Sequence, residues 1–262
     1  MNEEVKVLDH GYIKIVESWG SDERIIEAAR MSTAKGFQGW GPTCPSCLGQ
    51  GDFSKVAHSE QLRCMTCNEL VTTKPGDEKL LAYLWNNKHA TPFEMAGMII
   101  EVQAPIFVFR EWHRHRTQSY NELSARYTPL PDLNYLPELD RLMINAGGSN
   151  RQAGTIEASD ALTHANALEW LEQTQVIYAM LEQHYQWGLK IGIPKEVARI
   201  TIPVGRYSRM RASANLRNWL AFLTLRMDPK AQWEIRQFAN VLGTFIKQTF
   251  PHTWGLFVGD AS

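Results

Sequence analysis

Four cysteines constrain the folding of this chain more than any other feature. They fall as Cys44-Pro45-Ser46-Cys47 and Cys64-Met65-Thr66-Cys67, two Cys-x-x-Cys knuckles with sixteen residues between them. A tight turn carries both thiolates of a knuckle to one side, so two knuckles at this spacing form the four-thiolate grip of a zinc ribbon. Gly41, Pro42, Pro45, Gly49 and Gly51 supply turn residues around the first knuckle. Two disulfides are the alternative, but a reducing cytosol disfavours them. A redox site would need one pair, not two. The expected ligands of a structural zinc (or of iron in recombinant material) are therefore Cys44, Cys47, Cys64 and Cys67. Four thiolates fill a tetrahedral ion, so His58 is expected to stand exposed and unligated. The flanking stretch Gly36 to Pro75 is rich in turn residues, and residues 37–75 read as a small subdomain inserted into the main fold.

The rest of the chain reads as one catalytic domain, residues 1–262, of α+β class and mainly helical, with a central antiparallel or mixed sheet. Residues 5–16 alternate as a strand, and Asp22 to Met31 reads as a helix capped by Ser21 or Asp22. Further helices are expected at Asp77–Lys88, Ile106–His113, Ala158–Trp187, Lys195–Arg199, Leu216–Met227 and Pro229–Phe250. Asp228 is expected to cap the last and Pro251 to stop it. Strands are expected at Gly97–Gln103 and Ile200–Val204, with a loop over Asn134–Gly154. Lysine and arginine total 27 against 28 acidic residues, a net charge of −1. That balance argues against a general nucleic-acid or membrane-surface binder. No apolar run approaches the roughly 18–20 residues that cross a bilayer. The first residues, Met1 to Lys6, lack the basic-then-apolar layout of a signal peptide, so a cytoplasmic protein is expected.

Residues 114–127, Arg-His-Arg-Thr-Gln-Ser-Tyr-Asn-Glu-Leu-Ser-Ala-Arg-Tyr, carry the functional signal. Arginine presents a rigid fork of donors matched to phosphate oxygens. This segment has arginines at both ends and polar groups between them. Glu122 and Arg126 also have the i,i+4 spacing of a helical ion pair, which would be a purely structural use. The full string resembles, position for position, the signature R-H-R-x-x-S-x-N-E-x-S-x-R-Y of the flavin-dependent thymidylate synthases. His89-Ala-Thr-Pro-Phe-Glu94 is similar to that family's H-x-T-P-F-E segment. Arg199, the tripeptide Asn215-Leu216-Arg217, and Arg226 match further positions.

The resemblance implies reductive methylation of dUMP to dTMP, with methylenetetrahydrofolate as carbon donor and FAD reduced by NADPH. It implies a homotetramer whose active sites are shared between subunits. It assigns His89, Thr91, Arg114, His115, Arg116, Glu122, Asn215, Leu216 and Arg217 to the flavin. It assigns Glu111, Trp112, His113, Arg114, Glu122, Leu123, Ser124, Ala125, Arg126 and Arg199 to the nucleotide, with Arg126 facing the phosphate. Arg226 would lie against the uracil ring as the catalytic cation. Ser124 has no evident base to activate it, so a phosphate-binding hydroxyl is its expected role. Arg206, Arg209 and Arg211 read as solvated or subunit-contact charges.

Two positions depart from the family pattern. Glu111 stands where glutamine is expected, and Ala221 where a polar flavin contact is expected. A carboxylate at 111 is unfavourable beside phosphate or uracil unless an arginine neutralises it. Glu111 keeps open a hydroxymethylating variant, or action on another deoxypyrimidine nucleotide. A zinc-ribbon nucleic-acid binder is disfavoured by the charge balance. The four cysteines serve the ribbon, which leaves no thiol to attack the pyrimidine. No Gly-x-Gly-x-x-Gly tract occurs, so a Rossmann flavin site is not expected.

Overall fold

The computed structural model describes residues 4–47, 49, 52–59, 61–72, 76–144 and 163–259. The chain divides into two compact units, each assembled from three stretches of sequence.

The first unit comprises residues up to Glu17, Met98–Ala214 and Ala221–Gly243. It holds the body of a five-stranded sheet of order β1-β2-β6-β8-β7. The expected first strand is in fact a hairpin, β1 (Val5–Val7) and β2 (Gly11–Trp19), paired antiparallel with Val5 opposite Ile13. Gly11 is required there, because a Cβ would come within 2.4 Å of the Val7 carbonyl oxygen and 2.9 Å of that of Gln103. The central strand β6 (Gly97–Pro105) buries alternate residues, as its apolar periodicity predicts. Pro105 then opens α4 (Ile106–Trp112), where its missing N–H costs nothing. Strand β7 (Ser119–Glu122) pairs antiparallel with β8 (Tyr207–Asn215), Glu122 opposite Met210. Short helix α5 (Leu139–Met143) precedes the long α6 (His164–Lys190), and α7 (Lys195–Ala198) follows Pro194. The latter part of the expected Asn134–Gly154 loop (145–154), and the start of the expected 158–187 helix (158–162), lie outside the described residues.

The strand expected at Ile200–Val204 is absent. Arg199–Thr201 form a 3-10 turn, and Ile200 is 76% exposed. Pro203 cannot donate to a ladder, and Gly205 favours a turn. The strand lies further on, as β8, where Met210, Ala212 and Ala214 are buried and Arg209 and Arg211 exposed. Its charged half concealed its period-2 pattern. Arg206 is likewise not a solvated charge. Its side chain is fully buried, with its guanidinium bound to the Pro131 carbonyl, Asp132 and Glu182.

The second unit comprises Ser18–Gly97, Asn215–Leu220 and the residues from Thr244. Helix α1 (Asp22–Arg30) is capped by Ser21, whose Oγ accepts from the Arg24 N–H at 3.3 Å. The ribbon is a three-stranded antiparallel sheet, β3 (Phe53–Lys55), β4 (Leu62–Cys64) and β5 (Leu70–Val71). It leads into α2 (Glu78–Asn86) and the short α3 (Ala90–Phe93). The buried Asp77 carboxylate pairs with Arg30 and accepts from the Gln38 N–H, which fastens both ends of the insert.

Helix α8 (Leu216–Arg226) follows β8 directly. Asp228 does not cap the next helix. It accepts from the Lys230 N–H within a turn, and α9 (Trp233–Thr249) starts later. Pro251 ends α9 and also begins α10 (Pro251–Val258), since a fixed φ suits a first helical turn. Ile25, Ile26, Leu81, Leu84, Trp219 and Phe250 form the core of this unit.

Candidate active site and four-thiolate centre

The signature occupies the turn after α4, strand β7, and the turns beyond it. Glu122 therefore lies on a strand, not a helix, and the alternative use of Glu122 and Arg126 as an i,i+4 ion pair does not occur. Arg126 Nε instead donates to Glu196 at 3.1 Å. Two clefts border the strand end, and Glu122 and Leu123 line both. One, of about 390 Å³, is also lined by Ile106, Ser124, Ala125, Leu130, Arg199, Ile202 and Ser208. Five residues assigned to the nucleotide by resemblance (Glu122, Leu123, Ser124, Ala125 and Arg199) thus share one cavity. The other, of about 420 Å³, is lined by Glu101, Asn121, Arg209, Met210 and Arg211. Sequence reasoning passes over Ser208, which lies between Arg206 and Arg209.

A second cluster surrounds Arg226, the last residue of α8. Its Nε donates to His115 Nε2 at 2.8 Å, one terminal nitrogen to the Glu111 carbonyl at 2.8 Å, and the other to the Glu111 carboxylate at 3.2 Å. The arginine needed to neutralise Glu111 is therefore Arg226 itself. Burial, and then the Arg226 charge, pull the His115 pKa down to about 4. A neutral imidazole is what an N–H donor at Nε2 requires. Trp112, expected at the nucleotide, is a core residue. Its ring is fully buried against Phe222, with centroids 4.7 Å apart, and its Nε1 donates to Gln118. The His113 ring meets that of Tyr120 edge-on at 4.7 Å.

Arg114 and Arg116 are exposed and form no ion pair among the described residues. Of the other residues assigned to the flavin, His89 and Thr91 are exposed at the start of α3. Arg217 pairs with Glu94 at 2.5 Å, Asn215 Oδ1 accepts from the Asn218 N–H, and Leu216 is buried. Arg114 and Arg116 offer exposed guanidinium forks of the kind that fits a diphosphate-bearing flavin. Ala221 is exposed.

The four cysteine sulfurs lie within 4.8 Å of one another. The Sγ atoms of Cys44 and Cys67 are 3.8 Å apart, and those of Cys47 and Cys64 are 3.7 Å apart. A tetrahedral ion with Zn–S bonds of about 2.3 Å spaces its sulfurs about 3.8 Å apart. The thiolates therefore fit a single zinc-sized ion. His58 is exposed and outside the cluster.

An α+β fold that sets an arginine-bearing signature around polar clefts defines a nucleotide-handling enzyme. The family model "Thymidylate synthase complementing protein" matches residues 14–252. The chain is 34% identical over 257 residues to the flavin-dependent thymidylate synthase of Wolbachia pipientis, covering 98% of this chain and 76% of that one. It is 32% identical to that of Thermosipho melanesiensis, covering 97% and 93%. Among solved structures it is similar to the UMP/dUMP methylase PolB of Streptomyces cacaoi bound with 5-Br dUMP. That match has a TM-score of 0.72 and 27% identity, covering 97% of each chain. The chain belongs to the flavin-dependent thymidylate synthase family, and its cofactor is a flavin.

Proposed function

We propose that this enzyme converts dUMP to dTMP, taking the carbon from methylenetetrahydrofolate and reducing equivalents from NADPH through FAD. The observation that carries this reading is the convergence of Glu122–Ala125 and Arg199 on one cleft, in a chain of this family. Arg199, the Ser124 hydroxyl and Arg126 hold the phosphate. Arg226, braced by His115 and Glu111, presents its charge to the pyrimidine and stabilises negative charge that develops on the ring. Arg114, His115, Arg116, His89, Thr91, Asn215, Leu216 and Arg217 bind and orient the flavin, with Glu122 beside it. Glu111 and His113 border the nucleotide, and Trp112 supports them from the core. The flavin supplies the reducing equivalents that complete the methyl group. The protein's own contribution is orientation and polarisation, without a nucleophilic thiol.

Cys44, Cys47, Cys64 and Cys67 hold one structural zinc, because an all-cysteine site leaves no open position for catalysis. Residues 37–75 are the inserted subdomain of a single catalytic domain. The enzyme is a cytoplasmic homotetramer. Support for assembly comes from α6 and its C-cap, where Trp170, Ile177, Met180, Trp187 and Ile191 are each more than half exposed. Their spacing of 7, 3, 7 and 4 residues is heptad-like and makes an apolar seam that a second copy would cover.

A second reading is that UMP is also a substrate, favoured by the similarity to a UMP/dUMP methylase. Mass analysis of nucleotide products tests both. Holoenzyme would be incubated anaerobically with NADPH, methylenetetrahydrofolate, and dUMP or UMP. Gain of one methylene unit by dUMP alone supports the first reading, and gain by both supports the second. A hydroxymethyl product, or unchanged dUMP in flavin-loaded protein, overturns the assigned reaction.

A further inference from the structure

Ser208 lines the 390 Å³ cleft beside Arg199, Ser124 and Glu122. Its residue is 1% exposed, and its hydroxyl has no hydrogen-bond partner. A hydroxyl enclosed in this way loses its hydration and gains nothing in return unless an occupant of the cleft completes it. Neighbouring β8 positions explain why the residue could have been apolar: Met210 and Ala212 share its face of the strand and are buried. Nothing in the sheet calls for an oxygen at position 208. The cleft, by contrast, already gathers groups suited to an oxyanion, the Arg199 guanidinium and the Ser124 hydroxyl. Serine can donate to such an anion by rotating its own O–H.

We propose that the Ser208 hydroxyl is a further binding group for the nucleotide, donating to its phosphate alongside Arg199 and Ser124. The proposal rests on the reading of this cleft as the nucleotide phosphate site. It makes position 208 a site where stability and binding pull in opposite directions. Removing an unpartnered buried hydroxyl relieves its desolvation in the free enzyme, and the same change removes a donor from the complex.

The test is titration calorimetry of flavin-loaded enzyme with dUMP and with deoxyuridine, comparing the parent protein with Ser208→Ala and Ser208→Thr. Thermal midpoints would be recorded for each protein without nucleotide. Ser208→Ala is expected to weaken dUMP binding about 10–150-fold, the range of one hydrogen bond to a charged group. Deoxyuridine binding should be unchanged, the nucleotide-free midpoint should not fall, and Ser208→Thr should restore most of the dUMP affinity. An unchanged dUMP affinity with a raised midpoint would show an idle buried hydroxyl and overturn the proposal. Equal weakening of dUMP and deoxyuridine would also overturn it, by placing the hydroxyl away from phosphate. If the parent protein itself bound no dUMP, the reading of the cleft would fall, and this assignment with it.

Discussion

At the residue scale, the role proposed for Arg226 rests on its cluster with His115 and Glu111. Replacing Arg226 by Ala removes the cation and leaves the Glu111 carboxylate without its partner. On the order of a 100-fold loss of kcat/KM for dTMP formation is expected, the usual cost of one preorganised electrostatic donor. A variant that kept near-parent kinetics would remove Arg226 from the mechanism. His115 gives a pH signature. Its pKa in the folded protein is about 4, whereas an unfolded chain takes up that proton near pH 6.5. Between those values the unfolded state binds more protons, so stability is full above about pH 6.5 and falls as pH drops toward 4. His115→Gln should flatten that part of a plot of thermal midpoint against pH. An identical slope in the variant would mean that other groups set it. Glu111 was legible in the sequence as an anomaly. Its partner was not, because 115 residues separate it from Arg226.

At the element scale, the ribbon is a hydrogen-bonded sheet of only two or three residues per strand, with little apolar material inside. Cys44, Cys64 and Val71 are its buried residues, with Phe53 and Cys67 packed against them. So small a core cannot hold the fold unaided. Metal binding at such sites is worth on the order of 10 kcal/mol, most of it folding energy. Chelation, or Cys64→Ser, should therefore release about one metal ion per chain and expose residues 37–75 to protease, as read by metal analysis and limited proteolysis. Loss of turnover from metal-stripped protein that kept its flavin and assembly would contradict a structural role. The ribbon was readable from spacing because its four cysteines are local in sequence. Strand β8 was not, because alternation of arginine with small residues resembles a solvated turn until β6 and β7 are present on either side.

For the whole molecule, near-zero net charge leaves apolar surface as the main drive to assembly. Helix α6 buries Ala167, Tyr185 and Gly188, yet exposes the Trp170-to-Ile191 seam on another side. A helix apolar on two sides needs two partners. Ile177→Glu with Met180→Glu should reduce the mass measured by light scattering and lower turnover together, since the proposed sites are shared between subunits. An unchanged mass would place the contact elsewhere. Among the described residues, no helix is long and apolar enough to cross a membrane.

The sequence by itself determined the family, the four-cysteine cluster, the central strand β6, and most helices. Each of these is encoded in local spacing: knuckles, a fourteen-residue signature, and apolar period. Tertiary structure alone decided which polar and aromatic side chains are buried and which line a cleft. Trp112 and Arg206 became buried, and Ser208 became the unpartnered hydroxyl of a cleft. The reason is physical: burial and hydrogen-bond satisfaction depend on neighbours brought together from distant sequence, which no local pattern specifies.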